Sequence, residues 1–325
     1  MKPYVFITRK LPDEVVERLR AKYDVKMWEK EDVGVPRSLL LEEAERADAL
    51  LTMLSDQIDE ELLSVGTRLK VVANLAVGYD NVNVEAATKR GVAICNTPDV
   101  LTDATADLTF ALLMATARRI VEGAEFIKAG QWKSWSPLLL AGHDIHHKTI
   151  GIVGMGSIGS AVAKRATGFE MEILYHNRSR KSDVEKELGA TYCSFEQLIE
   201  RSDFVVCLTP LTEETKNLFT RDVFRRMKKS AIFINASRGP VVNEEDLYAA
   251  LMDGDIAAAG LDVFAKEPID QTHPLLTLSN VVAIPHIGSA TVETRLNMIH
   301  LCLDNIDAIL SGQAPKTLVN NEWNK

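Results

Sequence analysis

Glycines at 154, 156 and 159 are spaced to let a backbone approach phosphate. They stand in the run Gly154-Met155-Gly156-Ser157-Ile158-Gly159, after the apolar stretch Thr149-Ile150-Gly151-Ile152-Val153 and before a helix expected over Ser157–Thr167. The spacing alone is a weak signal; a strand before it and a helix after it make it specific. Gly154 permits a tight turn, Gly156 lets the main chain approach a pyrophosphate, and Gly159 lets helix and strand pack closely. Amides at the helix N-terminus face the phosphate charge, so all six residues are read as dinucleotide contacts. The next strand ends in His176-Asn177-Arg178-Ser179-Arg180-Lys181, where an NAD site usually carries an acid for the ribose 2′-hydroxyl. No acid follows until Asp183. Cationic forks and a hydroxyl suit a 2′-phosphate, so Arg178, Arg180 and Lys181, with Ser179 between them, point to NADP(H) in preference to NAD(H), and Asn177, Arg178, Ser179 and Arg180 are read as cofactor contacts.

The elements that must hold this turn are legible in the rest of the chain. It has 325 residues, 46% of them hydrophobic, and 37 basic against 46 acidic side chains give a net charge of −9. Two globular domains with a large core are expected. The acidic balance speaks against general nucleic-acid binding, which runs on surplus Lys and Arg. Residues 108–117 form the most apolar stretch, about half the ~20 residues a bilayer crossing needs, so no membrane span is expected. The start of the chain reads as no secretory signal. Cys95, Cys193, Cys207 and Cys302 are far apart in apolar surroundings. They read as buried free thiols, and a reducing cytoplasm fits them. His143, His146 and His147 lack nearby Cys or acids in a metal-binding pattern and read as structural or surface residues.

Short β-branched runs alternate with longer helical patterns, the sign of a parallel α/β fold. Strands are expected at Tyr4–Ile7, Ala49–Thr52, Val71–Asn74 and 92–95, then at Thr149–Val153, Glu172–His176, 204–208, 231–235, 258–262 and 281–284. A helix is expected over 13–23, a long buried one from Thr102 or Asp103 to about 121, and an amphipathic one over 290–310. Pro98 and Pro285 break the rhythm. The layout predicted is two Rossmann-like α/β domains with parallel sheets. The cofactor domain, 99–288, is inserted into a discontinuous substrate domain, 1–98 with 289–325, and ligand is expected between them.

Several further segments, in order, make the chain resemble the D-isomer-specific 2-hydroxyacid dehydrogenases, and among them the glyoxylate/hydroxypyruvate reductases. They are VGYDNV (77–82), NTPDVLTDATADLTFALLMATARR (96–119), GIVGMGSIG (151–159), YHNRSR (175–180), INASRGPVVNEEDL (234–247), AAGLDVFAKEP (258–268), HPLL (273–276) and PHIGSAT (285–291). The resemblance implies that Arg238 clamps substrate, that His286 is the proton donor and that Glu267 orients it. Each role suits its chemistry. Imidazole has an unperturbed pKa near ~6.5, a neighbouring carboxylate favours its charged form, and a guanidinium offers planar, always-charged donors. Without the resemblance, Arg238 reads equally as a surface charge, Glu267 as a turn residue and His286 as a packed or capping histidine.

The resemblance implies more contacts. Val77 and Gly78 give backbone amides to the substrate carboxylate, and Ser289 and Trp135 touch substrate. Thr105, Leu208, Thr209, Pro210, Ala236, Ser237, Asp262 and Gly288 join Arg238 and His286 around the cofactor. Trp132 and Trp135 lie in a segment similar to the family's dimer arm, which implies a homodimer. Where many relatives carry Gly-Phe-Gly, this chain has Gly168-Phe169-Glu170. The function expected is NADPH-dependent reduction of a small 2-oxo acid, glyoxylate to glycolate or hydroxypyruvate to D-glycerate. A larger acid such as 2-ketogluconate, and a non-catalytic dinucleotide-sensing binding protein, are the alternatives.

Overall fold

The structure, a computed structural model, describes residues 2–324. The chain divides into two compact units: one runs up to Leu101 and resumes at Thr291, and the other spans Thr102–Ala290.

The first unit runs β1 (Tyr4–Ile7), α1 (Asp13–Arg20), β2 (Asp24–Met27), α2 (Arg37–Arg46), β3 (Ala49–Thr52), α3 (Glu60–Val65), β4 (Val71–Asn74), α4 (Val84–Lys89) and β5 (Ala93–Cys95). Its five strands are parallel, in the order β2-β1-β3-β4-β5. β1, β3, β4 and β5 are buried throughout, as strands covered on both faces must be, and read as unbroken apolar runs. β2 lies at the edge, and its Asp24 and Lys26 interrupt the apolar pattern; no strand was expected there. The six-residue helices α3 and α4 are too short to show a period, and each begins on a side-chain cap. Asp59 accepts from the Leu62 amide and Asn83 from the Ala86 amide, both at 3.0 Å.

The second unit opens with α5 (Thr102–Ala117) and α6 (Ile120–Lys128). It continues β6 (Thr149–Val153), α7 (Ser157–Thr167), β7 (Glu172–His176), α8 (Ser182–Leu188), β8 (Thr191–Tyr192), α9 (Phe195–Arg201) and β9 (Phe204–Cys207). It closes with α10 (Arg221–Arg226), β10 (Ile232–Asn235), α11 (Glu244–Met252), β11 (Ala258–Leu261) and β12 (Val281–Ala283). The seven strands are parallel, in the order β12-β11-β10-β9-β6-β7-β8. The order reverses between β6 and β9, so the loops leaving those two strands flank the crevice where such sheets bind ligands. Two parallel α/β units are the architecture the sequence predicts.

Several boundaries differ. The helix expected to reach about 121 stops at Ala117, because Arg119 takes a left-handed φ of 52° before α6 begins. The terminal helix, α12 (Val292–Leu310), starts after residue 290, with Thr291 capping the Thr294 amide at 3.1 Å. Glu170, where relatives carry glycine, adopts φ 53° and lies 3.2 Å from His147. A non-glycine residue there accepts a conformation that glycine takes freely. All four cysteines are buried free thiols. Among the described residues, no helix is long and apolar enough to cross a membrane.

After α12 the chain returns to the first sheet. Val319 donates to the Ile94 carbonyl at 2.8 Å. Asn320 accepts from the Ile94 amide at 2.8 Å and donates to the Val92 carbonyl at 2.9 Å. One buried side chain thus takes the place of a further strand along β5. Asn320→Ala leaves those two buried backbone groups unpaired, at about 1–3 kcal/mol each. The expected result is a loss of about 3 kcal/mol in denaturant unfolding; a loss under ~0.5 kcal/mol would show that the tail does not hold β5.

Candidate active site

β6 delivers the chain into Gly154, whose φ is 105°. An added Cβ there would lie 2.7 Å from the Leu208 carbonyl and 2.8 Å from the Thr209 nitrogen. Glycine therefore lets this turn close against the loop after β9. At Gly159 a Cβ would collide with the Gly154 carbonyl oxygen, but at Gly156 it would meet nothing within 4 Å. Gly156 is also the N-cap of α7 without a side-chain cap, and its carbonyl takes the first intrahelical bond, from Ser160 at 2.9 Å. The turn thus has one open face, backed by the amides of a helix N-terminus. That cradle fits the pyrophosphate of a dinucleotide.

Asn177 performs a task its position alone does not reveal. Its Oδ1 accepts from the Met155 amide at 2.9 Å, so the end of β7 latches the glycine turn. Met155 is fully buried beneath it. Beyond Asn177 the basic residues part company. Arg180 makes a two-pronged pair with Glu185, at 2.7 and 2.8 Å. That pair, with the Tyr175 hydroxyl at 2.6 Å, holds the Glu185 carboxyl down at about 2. Arg178 is exposed and lies 3.9 Å from Glu214, and Ser179 beside it is exposed too. Of the two arginines given a phosphate role, one is already committed to an acid five residues further along.

β10 ends at Asn235, which is buried and shapes the next loop. Its Oδ1 accepts from the Ser237 amide and hydroxyl at 3.1 and 2.8 Å, and its Nδ2 donates to the Arg238 carbonyl at 3.1 Å. Ala236 and Ser237 are half-buried in that loop, and Arg238 Nη1 donates to the Ser237 carbonyl at 2.8 Å. Gly239 follows because a Cβ would run into the Phe264 backbone.

That approach brings the segment after β11 alongside. Glu267 Oε1 accepts from the Phe264 amide at 2.9 Å, and its Oε2 lies 2.6 Å from His286 Nδ1. Burial alone would raise the Glu267 carboxyl. The His286 hydrogen bond and charge, the Phe264 amide and the charge of Arg238 outweigh it and hold the group below the usual carboxylate range. An ionised Glu267 only accepts, so Nδ1 carries the proton towards it and Nε2 is the ring's other proton-exchanging atom. Chain positions 238, 267 and 286 are brought together as one charged cluster.

His286 itself has φ 51°. Asp262, almost wholly buried, accepts from the Ile287 amide at 2.7 Å and the Gly288 amide at 2.9 Å, and its carbonyl takes the His286 amide at 2.9 Å. Burial pushes its carboxyl up, against the pull of those amides and of His286. Buried Thr105, on α5, lies against Gly288, where an added Cβ would come 3.3 Å from its methyl group. Ser289 is half-buried just beyond, Leu208 and Thr209 are half-buried at the glycine turn, and Pro210 is exposed. Val77 and Gly78 belong to the first unit, in the loop after β4. Trp132 and Trp135 are exposed, at 58% and 79%, between α6 and β6. Sequence reasoning missed Asn235, although an Asn closing an apolar strand is a loop-shaping signal. It also missed the clamp Asp262 places on the His286 loop, for which it carried no signal.

This cluster stands on the same sheet as the glycine turn. A family model described as D-isomer specific 2-hydroxyacid dehydrogenase, NAD binding domain, matches residues 110–288. The chain belongs to the D-isomer specific 2-hydroxyacid dehydrogenases, and is thus an oxidoreductase using a nicotinamide dinucleotide. Among its relatives, glyoxylate reductases of Thermococcus onnurineus and Pyrococcus horikoshii are each 50% identical, over 99% of this chain and 97% of theirs. A crystal structure from Thermus thermophilus superposes with a TM-score of 0.91 at 44% identity, covering 97% of this chain and 99% of that one. An NADPH-dependent glyoxylate/hydroxypyruvate reductase from Sinorhizobium meliloti, in complex with NADP and malonate, gives 0.85 at 32% identity, covering 99% and 98%.

A depressed folded-state pKa contributes stability that is present above the unfolded value and is lost as pH falls through the folded one. Glu267, below its ordinary 4.5, therefore stabilises the fold fully at pH 5 and progressively less towards pH 3. Unfolding of wild type and Glu267→Gln across that window should show their difference shrinking as pH falls. A difference that is flat or grows would contradict an ionised Glu267.

Proposed function

We propose that this protein reduces glyoxylate to glycolate and hydroxypyruvate to D-glycerate with NADPH, consuming one proton per turnover and releasing NADP+. The observation that carries the reading is the 2.6 Å contact between His286 Nδ1 and Glu267, beside Arg238. Bound reduced nicotinamide supplies the hydride to the carbonyl carbon. His286 gives its Nε2 proton to the carbonyl oxygen, while Glu267 keeps the ring oriented. Arg238 holds the acid through its planar donors, and the Val77 and Gly78 amides and Ser289 are assigned to substrate as well. The first unit is read as the substrate-binding part and the second as the cofactor-binding part.

Thr105, the glycine turn from Gly154 to Gly159, Leu208, Thr209, Pro210, Ala236, Ser237, Asp262 and Gly288 are assigned to the cofactor. Preference for the 2′-phosphate is placed on Arg178 and Ser179 more than on Arg180, which Glu185 already engages. The exposed apolar residues Ile120, Val121, Ile127, Trp132, Trp135 and Leu138 support a homodimer built on this segment, with Trp135 reaching the neighbouring subunit's substrate. The cytoplasm is the proposed location.

Purified protein should oxidise NADPH with either acid, and His286→Ala should lower kcat about 10²–10⁴-fold. No oxidation of NADPH or NADH would reject the reading, and near-normal turnover by the variant would remove His286 as the acid. Direct titration separates the cofactors. Arg178→Ala should weaken NADPH about tenfold, the weight of one charged hydrogen bond, leave NADH within about twofold, and cost more than Arg180→Ala. Equal losses for both cofactors would show that Arg178 does not read the 2′-phosphate.

A further inference from the structure

Three consecutive peptide carbonyls in the loop after β4 are held by the chain itself. The Ala76 carbonyl accepts from the Thr97 amide at 2.8 Å, the Val77 carbonyl from Asn96 Nδ2 at 2.8 Å, and the Gly78 carbonyl from Asn74 Nδ2 at 3.2 Å. A trans peptide is planar, with its C=O and the following N–H pointing to opposite sides. Fixing these carbonyls therefore fixes the amides of Val77, Gly78 and Tyr79 in the opposite direction. Among the described residues none of those three amides donates to a protein acceptor. Val77 and Gly78 are half-buried and Tyr79 is 45% exposed, so this loop is not sealed inside the core. Adjacent amides left without an internal acceptor suit an anion.

The two asparagines are themselves held. Asn96 offers its backbone carbonyl to the Thr317 hydroxyl at 2.7 Å, and that hydroxyl accepts from Asn305 Nδ2 at 2.7 Å. Asn74 is fully buried. Its Oδ1 accepts from Thr52 Oγ1 at 3.1 Å and from Asn81 Nδ2 at 3.2 Å. The amide side chain is the right type for this place. It donates to a carbonyl without bringing charge, whereas aspartate would set an acceptor against an acceptor and a negative charge beside an anion site.

We propose that Asn96 and Asn74 are positioning residues for substrate: Asn96 aims the Gly78 amide, and Asn74 the Tyr79 amide, at a carboxylate. The proposal rests on the 2-oxo acid reading above and deepens it, placing recognition of the acid on a loop whose geometry two neutral side chains impose.

The test uses the full-length protein with Asn96→Ala and Asn96→Asp, the second keeping the side chain's size should the first fold poorly. Both should raise KM for glyoxylate about tenfold or more, the effect of misplacing one hydrogen bond to a charged group. They should change kcat less than about threefold and leave the Kd for NADPH unchanged. A second readout does not need turnover. In protein labelled with [15N]glycine, oxalate should move the Gly78 amide resonance, assigned by its loss in Gly78→Ala. The same oxalate concentration should leave that resonance unmoved in Asn96→Ala. A folded Asn96→Ala with wild-type KM and a wild-type Gly78 response overturns the proposal. So does an equal loss in KM, kcat and cofactor affinity, which marks a merely structural residue. If oxalate moves Gly78 in wild type but not in Asn96→Ala, and no 2-oxo acid is reduced with either cofactor, the positioning role stands and the functional reading fails.

Discussion

Asp262 gives one carboxylate oxygen to the Ile287 amide and the other to the Gly288 amide, and the imidazole of His286 goes where that clamp puts it. A carboxylate so deeply buried is costly, and its raised pKa registers the cost. Two short amide bonds and the nearby imidazole offset it. In return a non-glycine residue is held at a positive φ, in a conformation that the main chain alone disfavours. The ring then lies within hydrogen-bond distance of Glu267. The Asp262 amide in turn donates to the Asn235 carbonyl at 2.9 Å, which ties this clamp to the end of β10 and so to the loop of Arg238. The chemistry-bearing side chains thus hang from neighbouring strand ends through a few hydrogen bonds of main chain to buried polar side chain.

Each unit leaves a set of main-chain amides without an acceptor among the described residues, by different means. At Gly156 a helix begins without a side-chain cap, and helical geometry itself leaves the first amides free. After β4 no helix starts, and the amides of Val77 and Gly78 point away from the groups that hold the preceding carbonyls. The first device needs only glycine at the right spacing. The second needs specific side chains some twenty residues apart along the chain.

That difference accounts for what the sequence could tell. The parallel strands were legible because burial on both faces writes itself as apolar runs, and Gly154, Gly156 and Gly159 because their backbone demands exclude other residues. The charged edge strand β2 and the six-residue helices α3 and α4 were not, since neither burial nor period marks them. Arg238, Glu267 and His286 were recognisable through family motifs; the residues alone left bland readings open. Asn177 and Asp262 act through hydrogen bonds to main chain, which residue type and spacing do not encode; Asn235 acts the same way, but its place at the end of an apolar strand is a readable signal. Arg180 shows the reverse case: its charge was plain, but its pairing with Glu185 across a turn was not.

The first unit is interrupted, and this sets the order in which the molecule can be completed. Strands β1 to β5 precede Thr102, but the helix packed on β3, β4 and β5, and the Asn320 that borders β5, follow Ala290. During synthesis the early sheet must wait, one face uncovered, until the ribosome has made everything in between. The intervening unit is contiguous and has its own core, so it can fold while its host is still unfinished. Nascent chains stalled near 290 should therefore expose the apolar face of the first sheet, and it is there that a chaperone would find them.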